Sequence, residues 1–131
     1  MGVRDAGTPR ISNAEWEVMA VVWQRRRVAA SDVVAALADR TGWHARTIKT
    51  MLSRLVKKGA LNFEREGKRY LYRPRVSRQQ CIREESASFL QRVFGGQVEA
   101  LLEHFVENAQ LSPEQYDELR RLLDQKGEAG R

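Results

Sequence analysis

Residues 45–74 read ARTIKTMLSRLVKKGALNFEREGKRYLYRP, and this stretch determines the fold class. In its first half, apolar residues recur at the spacing of a helix that buries one face, and Gly59 ends the pattern. A helix is therefore predicted over residues 45–58. The apolar residues of this helix are Ile48, Met51, Leu52, Leu55 and Val56.

In the second half of the stretch, the apolar pattern changes from a helical period to a period of two. Short runs containing Leu61, Phe63 and Leu71 flank the polar segment EREGKR, in which Gly67 can adopt the positive φ of a tight turn. Two strands joined by a hairpin are therefore predicted.

The residues before this stretch predict two more helices. Ser12 and Glu15 have the spacing of a capping box, and the apolar stripe behind them predicts a helix over 13–24. Ser31 is expected to cap a second helix, which Gly42 ends. Three helices followed by a hairpin are the order of a winged helix-turn-helix.

After the hairpin the sequence is helical again. Helices are predicted over 77–94 and 97–108, and a third opens at the capping box around Ser112. The predicted fold is mainly α with a small β-hairpin: an N-terminal winged helix-turn-helix followed by a C-terminal helical dimerisation region. The predicted domains are a flexible leader over 1–10, the winged helix over 11–75, a three-helix dimerisation region over 76–126 and a flexible tail over 127–131.

Charge is distributed unevenly along the chain of 131 residues. Residues 1–78 contain 17 Lys and Arg against 7 Asp and Glu, whereas residues 79–131 contain 6 against 10. A basic part followed by an acidic part is typical of a polyanion-binding module joined to a second function.

The composition favours a binding protein over an enzyme. No phosphate-binding loop or nucleophile elbow occurs, and the single cysteine, Cys81, has no metal-binding companion. We therefore predict no catalytic residue, metal or cofactor, although a small enzyme with Cys81 as nucleophile is an alternative. No apolar stretch has the length of a membrane span, and residues 1–10 lack the apolar core of a signal peptide. We expect a cytoplasmic protein without direct membrane binding.

The polar face of the helix over 45–58 carries the strongest functional signal. Its residue types suit the major groove of DNA, because Arg bonds guanine, the Thr methyl group contacts thymine and further cations hold phosphates. At the hairpin tip, Glu64 and Glu66 are expected to dilute the positive charge. The predicted DNA-binding residues are Arg46, Thr47, Lys49, Thr50, Ser53, Arg54, Lys57, Lys68 and Arg69.

The acidic part carries more apolar side chains than three short helices bury among themselves. A second copy of the chain is expected to cover them, and a homodimer also suits a DNA operator with two-fold symmetry. The alternative is that these helices fold back on the winged helix. The predicted interface residues are Phe89, Leu90, Val93, Leu101, Leu102, Phe105, Val106, Leu119 and Leu122.

Several motifs taken together resemble the penicillinase-repressor family of bacterial transcription factors, over residues 11 to about 125. They are ISNAEWEVM over 11–19, Trp23, TIKTMLSRLVKKG over 47–59, YLYRP over 70–74 and FLQRVFGG over 89–96. The resemblance implies a homodimeric repressor, with the winged helix on a double-stranded DNA operator and the C-terminal helices at the dimer interface.

The chain is more similar to the β-lactam branch of this family than to its copper-responsive branch, because no paired CxC motif follows Cys81. In the β-lactam branch, a membrane-bound sensor metalloprotease triggers cleavage of an Asn-Phe bond in the dimerisation region. The corresponding bond here is His104–Phe105, with His in place of Asn. The resemblance thus implies release by proteolysis and control of β-lactam resistance genes.

Two other functions are open on the sequence alone. The protein could repress another operon and be released by a small ligand, or its basic face could bind an acidic protein. Sequence-dependent binding to duplex DNA separates the last of these from a repressor, whereas salt-sensitive binding does not.

Overall fold

The computed structural model describes residues 8–108 and 110–129. Most of the predicted leader and the last two residues of the predicted tail lie outside this part of the chain. In chain order the elements are α1 (Asn13–Arg25), β1 (Val28–Ala29), α2 (Ala30–Thr41), α3 (Ala45–Lys58), β2 (Leu61–Glu66), β3 (Arg69–Pro74), α4 (Arg78–Phe94), α5 (Val98–Asn108) and α6 (Pro113–Ala129). The chain divides into two compact units, Met1–Phe89 and Leu90–Arg131.

Helix α1 begins at the predicted capping box. The Glu15 amide donates to Ser12 Oγ at 3.2 Å, and the Ser12 amide donates to Glu15 Oε1 at 2.9 Å. The same carboxylate oxygen accepts a hydrogen bond from Lys58 Nζ at 2.5 Å, which links the start of α1 to the end of α3. Glu15 is buried. Burial alone would raise its pKa, but the hydrogen bonds from Lys58 and Ser12 outweigh this effect and hold the pKa below the ordinary value of 4.5.

Helix α2 begins before the residue that was expected to cap it. Ala29 occupies the N-cap position and makes no side-chain capping bond, so the prediction that Ser31 caps α2 is wrong. The reason is that Ala29 belongs to β1, whose pairing with β3 holds the backbone up to the start of the helix. At the other end, Gly42 has a φ of 75° and ends α2 as predicted.

The predicted hairpin is part of a three-stranded antiparallel sheet in the order β1–β3–β2. β2 and β3 pair from Leu61 opposite Pro74 to Glu66 opposite Arg69. β1 adds only two residues at the edge of β3. So short a strand shows no period-two pattern, and for this reason the sequence indicated two strands rather than three.

The core of the first unit lies between α1, α2, α3 and the sheet. Its largest fully buried side chains are Val18, Met19, Val22, Val33, Leu37, Ile48, Leu52, Leu55 and Leu61. The three tryptophans, Trp16, Trp23 and Trp43, pack against this core and are partly buried. Trp23 Nε1 also donates to the carbonyl of Val76 at 2.9 Å. All three rings therefore contribute to the packing of the first unit.

The first unit extends beyond the predicted winged helix. Val76 and Cys81 are buried in its core, and Ser77 and Gln80 form a capping box just before and within α4. The compact units therefore separate after Phe89, whereas the predicted domain boundary lies between residues 75 and 76. That functional boundary stays a prediction.

The second unit contains the end of α4, followed by α5 and α6. None of its described residues is buried in the single chain. Ser112 and Gln115 form the predicted capping box at the start of α6. The helix runs to Ala129, past the point where the tail was expected to begin. In the described part of the chain, no helix is both long and apolar enough to cross a membrane.

Candidate nucleic-acid interface

Helix α3 has two faces of opposite character. Ile48, Leu52 and Leu55 are fully buried against the core. Residues three or four positions apart share a face of a helix, so the intervening polar residues fall on the other side. Every residue of α3 that was predicted to bind DNA is exposed there: Arg46, Thr47, Lys49, Thr50, Ser53, Arg54 and Lys57.

The charges on this exposed face are available to a ligand. Within residues 8–108 and 110–129, no ion pair engages Arg46, Lys49, Arg54 or Lys57. The Thr50 hydroxyl donates to the Arg46 carbonyl at 2.9 Å, so its proton is used within the helix. The methyl group of Thr50 is therefore the part best suited to a contact with a base.

A groove of about 420 Å³ lies between α3 and the hairpin, which we call the wing (residues 61–74). Lys49 and Ser53 of α3 line it together with Lys68 and Arg69 of the wing. The structure thus brings members of both predicted sets of DNA-binding residues to one concave surface, whereas Thr47, Arg54 and Lys57 do not line this groove. Arg46 and Thr50 line a shallower depression further along α3, which shares Lys49 and Ser53 with the groove.

The groove also contains residues that sequence reasoning missed. Ser31 at the start of α2 and Tyr70 of β3 line it. Tyr70 is exposed, packs edge-on against Phe63 with ring centroids 5.1 Å apart and lies 5.9 Å from the guanidinium carbon of Arg65. The alternation of side chains along β3 could have indicated Tyr70. The sequence around Ser31 contains no pattern that predicts its position beside β3.

The two acidic residues of the wing, which were expected to dilute its positive charge, are both paired with arginine. Arg27 Nε donates to Glu64 Oε1 and Arg27 Nη2 donates to Glu66 Oε2, each at 2.7 Å. Arg73 Nη2 donates to the other oxygen of Glu64 at 2.9 Å. The hydrogen bond from Arg27 is the main reason that the pKa of Glu64 lies below 4.5, and the same bond raises the pKa of Arg27. Arginine side chains therefore engage both carboxylates in the folded chain.

The residues predicted to form a dimer interface are accessible in the single chain. Leu90 and Leu101 are partly exposed, and the others are exposed: Phe89, Val93, Leu102, Phe105, Val106, Leu119 and Leu122. Within the second unit, four of them (Leu102, Val106, Leu119 and Leu122) line an apolar cavity of about 510 Å³. The rest of the lining was not predicted as interface and consists of Leu111, Tyr116 and Leu123 with the basic residues Arg120 and Lys126.

The bond between His104 and Phe105 lies in the middle of α5. Both side chains are exposed, and Asn108 Nδ2 donates to the His104 carbonyl at 3.1 Å. No residue of α5 is buried in the single chain. Among the residues that the structure describes, no group of three or more His, Cys, Asp and Glu is arranged to hold a metal ion.

The fold and this cationic surface define a winged-helix DNA-binding protein. The chain belongs to the penicillinase repressor family, whose sequence model matches residues 11–125. It is 40% identical to the penicillinase repressor of Bacillus licheniformis over 117 residues, which are 89% of this chain and 91% of that protein. The methicillin resistance regulatory protein MecI of Staphylococcus aureus is 32% identical over 122 residues, which are 93% of this chain and 99% of that protein. The family consists of transcriptional repressors and not of enzymes.

Solved structures agree with this assignment. The solution structure of the DNA-binding domain of the repressor BlaI is 42% identical and has a TM-score of 0.52, covering 55% of this chain and 88% of that one. The monomeric form of Bacillus licheniformis BlaI, solved in complex with the blaP half-operator, has a TM-score of 0.50 with the same identity and coverage. MarR of E. coli, at 17% identity, 88% of this chain and 76% of that one, has a TM-score of 0.50 and supports the fold alone.

Proposed function

We propose that this protein is a homodimeric transcriptional repressor that binds a two-fold-symmetric DNA operator. The observation that carries the proposal is the groove in which Lys49 and Ser53 of α3 meet Lys68 and Arg69 of the wing. A surface that joins an exposed helix to a cationic hairpin supports binding to a duplex, whose major groove is wide enough for a helix beside a phosphate backbone. The complex of BlaI with a half-operator supports DNA as the partner.

In this proposal the base contacts come from the N-terminal half of α3. Arg46, Thr47 and Thr50 are exposed there, and a recognition helix reads base edges with residues near its N-terminus. Arg46 suits guanine and the Thr50 methyl group suits thymine. These three residues therefore carry the sequence specificity.

Phosphate contacts fall to the cations around these three residues. They are Lys49, Arg54 and Lys57 on α3, and Lys68 and Arg69 on the wing. Contacts of this kind fix the register of the protein on the duplex and make its affinity depend on salt.

A second copy of the chain is the proposed cover for the second unit. Val106 is 62% exposed and Leu122 is 48% exposed, beside a cavity lined mainly by apolar side chains. Soluble monomers seldom expose so continuous an apolar surface. A dimer also links two half-sites, so that the second one binds at a high effective concentration.

Proteolysis in α5 is the proposed mode of release, with a membrane-bound sensor metalloprotease as the partner and β-lactam resistance genes as the target. A protease needs an extended backbone, and an isolated helix of 11 residues is marginal in water. Because no residue of α5 is buried in the single chain, α5 opens readily whenever the partner chain leaves. A cut at His104–Phe105 divides the apolar surface between two fragments and so favours monomers.

The DNA-binding step is tested by selecting duplexes from a random library with the full-length protein. Recovery of a palindromic sequence, bound by a dimer in sedimentation, is the expected result. Enrichment without sequence preference, or a chain that stays monomeric at micromolar concentration, would contradict the proposal. Binding of an acidic protein with no duplex preference would instead support an interaction module.

The release step is tested in the native cells, by following the intact protein after exposure to a β-lactam. We expect a fragment ending at His104 to appear as the repressed genes become active. Activation of those genes while the chain stays intact would exclude proteolysis and indicate a small ligand instead.

A further inference from the structure

We infer that Arg27 is a positioning residue, which keeps the wing cation Arg69 available for DNA by holding Glu66 away from it. The inference rests on the proposed function, because it concerns how the wing meets a duplex. Arg27 lies outside α3 and the wing, and it lies outside the set of residues predicted to bind DNA.

The register of the sheet makes Glu66 the natural partner of Arg69. The two residues lie directly opposite each other in the pairing of β2 with β3. Opposite residues of an antiparallel pair share one face, with Cβ atoms about 5 Å apart, and opposite charges in such positions attract. Yet Glu66 bonds Arg27 instead, and no ion pair engages Arg69 in the part of the chain that the structure describes.

Arg27 competes successfully because it holds two carboxylates at once. Glu64 and Glu66 are alternate residues of β2 and therefore lie on the same face. The planar guanidinium of Arg27 reaches both, through Nε and Nη2, at 2.7 Å each. Two charge-assisted bonds from one side chain hold a carboxylate pair more firmly than a single exposed ion pair does.

The backbone places Arg27 for this contact. Arg26, just after α1, has a φ of 68°, a conformation that is uncommon for a residue other than glycine. This turn leads directly into β1, where Val28 pairs with Tyr72 of β3. Arg27 is thereby fixed beside the acidic face of the wing.

The consequence concerns the groove between α3 and the wing. Arg69 lines this groove with Lys49 and Lys68, so its charge contributes to the potential that a phosphate meets there. Without Arg27, Glu66 has only Arg69 opposite it, and Glu64 keeps only Arg73. Pairing of Glu66 with Arg69 would withdraw one cation from the groove and bring a carboxylate close to the DNA backbone.

The test measures the affinity of Arg27→Ala for the selected operator and for a scrambled duplex, over a range of salt concentrations. At about 0.1 M salt we expect a loss of about threefold to tenfold on both duplexes, and a salt slope that falls by about one, as for one lost phosphate contact. Arg25→Ala is the matched control, since it removes an exposed cation from the same helix end without touching the wing. It should bind nearly as the wild type does.

Rescue distinguishes positioning from direct contact. Adding Glu66→Gln to Arg27→Ala removes the competing carboxylate and should restore affinity to within about twofold of the wild type. Arg69→Ala should weaken binding as Arg27→Ala does, and the double variant Arg27→Ala with Arg69→Ala should be little weaker than either. The melting temperature of Arg27→Ala should be nearly that of the wild type, because exposed ion pairs contribute little to stability.

Three results would overturn the inference: Arg27→Ala binding as tightly as the wild type, Arg25→Ala losing as much affinity, or a failure of Glu66→Gln to rescue. If Arg27→Ala does not fold, Arg27→Gln keeps a side chain of similar length without the charge, and the same outcomes apply to it. A wild-type chain that selects no duplex would contradict the proposed function itself. If the wild type binds the selected duplex and Arg27→Ala binds it with the same affinity, only the positioning role of Arg27 is contradicted.

Discussion

The two units differ in how they bury apolar side chains. In the first unit, α1, α2, α3 and the sheet enclose a core in which Val18, Leu37 and Leu52 have no solvent exposure. The described residues of the second unit include no buried side chain, and Phe105 is 48% exposed there. Apolar burial is the dominant favourable term in folding. The first unit therefore has its own stabilising core, whereas under the proposed function a second copy of the chain supplies the cover for the second unit.

This difference separates recognition from regulation under the proposed function. A unit with its own core holds α3 in one geometry whether or not a partner is present. A unit that depends on association responds to anything that removes the partner, because binding and stability are linked by mass action. A substitution in one unit should therefore leave the property of the other unit unaffected.

The largest expected effect comes from a charge in the apolar cavity of the second unit. Leu122→Glu should convert the dimer to monomers, since burial of one leucine contributes about 1.5–3 kcal/mol and two copies lose it together. Operator affinity should then fall by about 10²–10⁴-fold, because the half-sites are no longer linked. Sedimentation and duplex binding measure the two effects.

Gln125→Glu is the matched control for this change. It adds the same charge to α6 at an exposed position that does not line the cavity. We expect a dimer with unchanged affinity. If Leu122→Glu and Gln125→Glu are both monomeric, or both dimeric, the apolar cavity does not mark the interface. Circular dichroism should show an intact winged helix in both variants.

A smaller effect is expected from the base-reading residues of the first unit. Arg46→Ala and Thr47→Ala should each weaken the selected operator by about 1–3 kcal/mol per lost base contact. Binding to a scrambled duplex and the dimer equilibrium should stay as in the wild type. Arg40→Ala, which removes an exposed cation from the end of α2, is the control. Equal losses on both duplexes would assign these two residues to the phosphate backbone instead.

The buried Glu15 predicts a pH dependence that is confined to the first unit. Its pKa in the folded chain lies below the unfolded value near 4.5. Glu15 therefore contributes stability above that pH, and the contribution is lost as the pH falls through the lower, folded pKa. Glu15→Gln should lower the free energy of unfolding by about 1–2 kcal/mol at neutral pH and flatten the loss of stability in acid.

Urea unfolding followed by tryptophan fluorescence measures this effect, because all three tryptophans lie in the first unit. Glu17→Gln is the control, since Glu17 pairs with Arg40 at a half-exposed position and such pairs contribute little. If the free energy of unfolding of Glu15→Gln falls as steeply in acid as that of the wild type, the ion pair with Lys58 does not have the proposed role.

Local signals explain how much of the first unit could be predicted from the sequence. Ala45–Lys58 was predicted with both ends correct, because the apolar period lies within the helix and Gly59 caps its end. β1 was missed because two residues become a strand only by pairing with β3. The bonds from Arg27 to Glu64 and Glu66 join residues 37 and 39 positions apart, and no local pattern reports such a pair.

The second unit was predictable to a different extent. Its helices carry local signals, such as the capping box at Ser112, and these were confirmed. Leu111, from the link before α6, and Tyr116, of α6 itself, also line its apolar cavity and were not among the predicted interface residues. Under the proposed function a second copy covers this cavity, and local patterns in one chain do not indicate how two copies meet.

The smallest expected effect concerns the wing, at Lys68. This exposed lysine lines the groove beside α3, and a lysine on a flexible stem suits a phosphate better than a base. Lys68→Ala should weaken the selected operator and a scrambled duplex alike, by about threefold, and lower the salt slope by about one. Arg83→Ala, an exposed cation on α4, should change neither quantity. A loss confined to the selected operator would mean that the wing reads bases, and the division of labour between α3 and the wing would then be wrong.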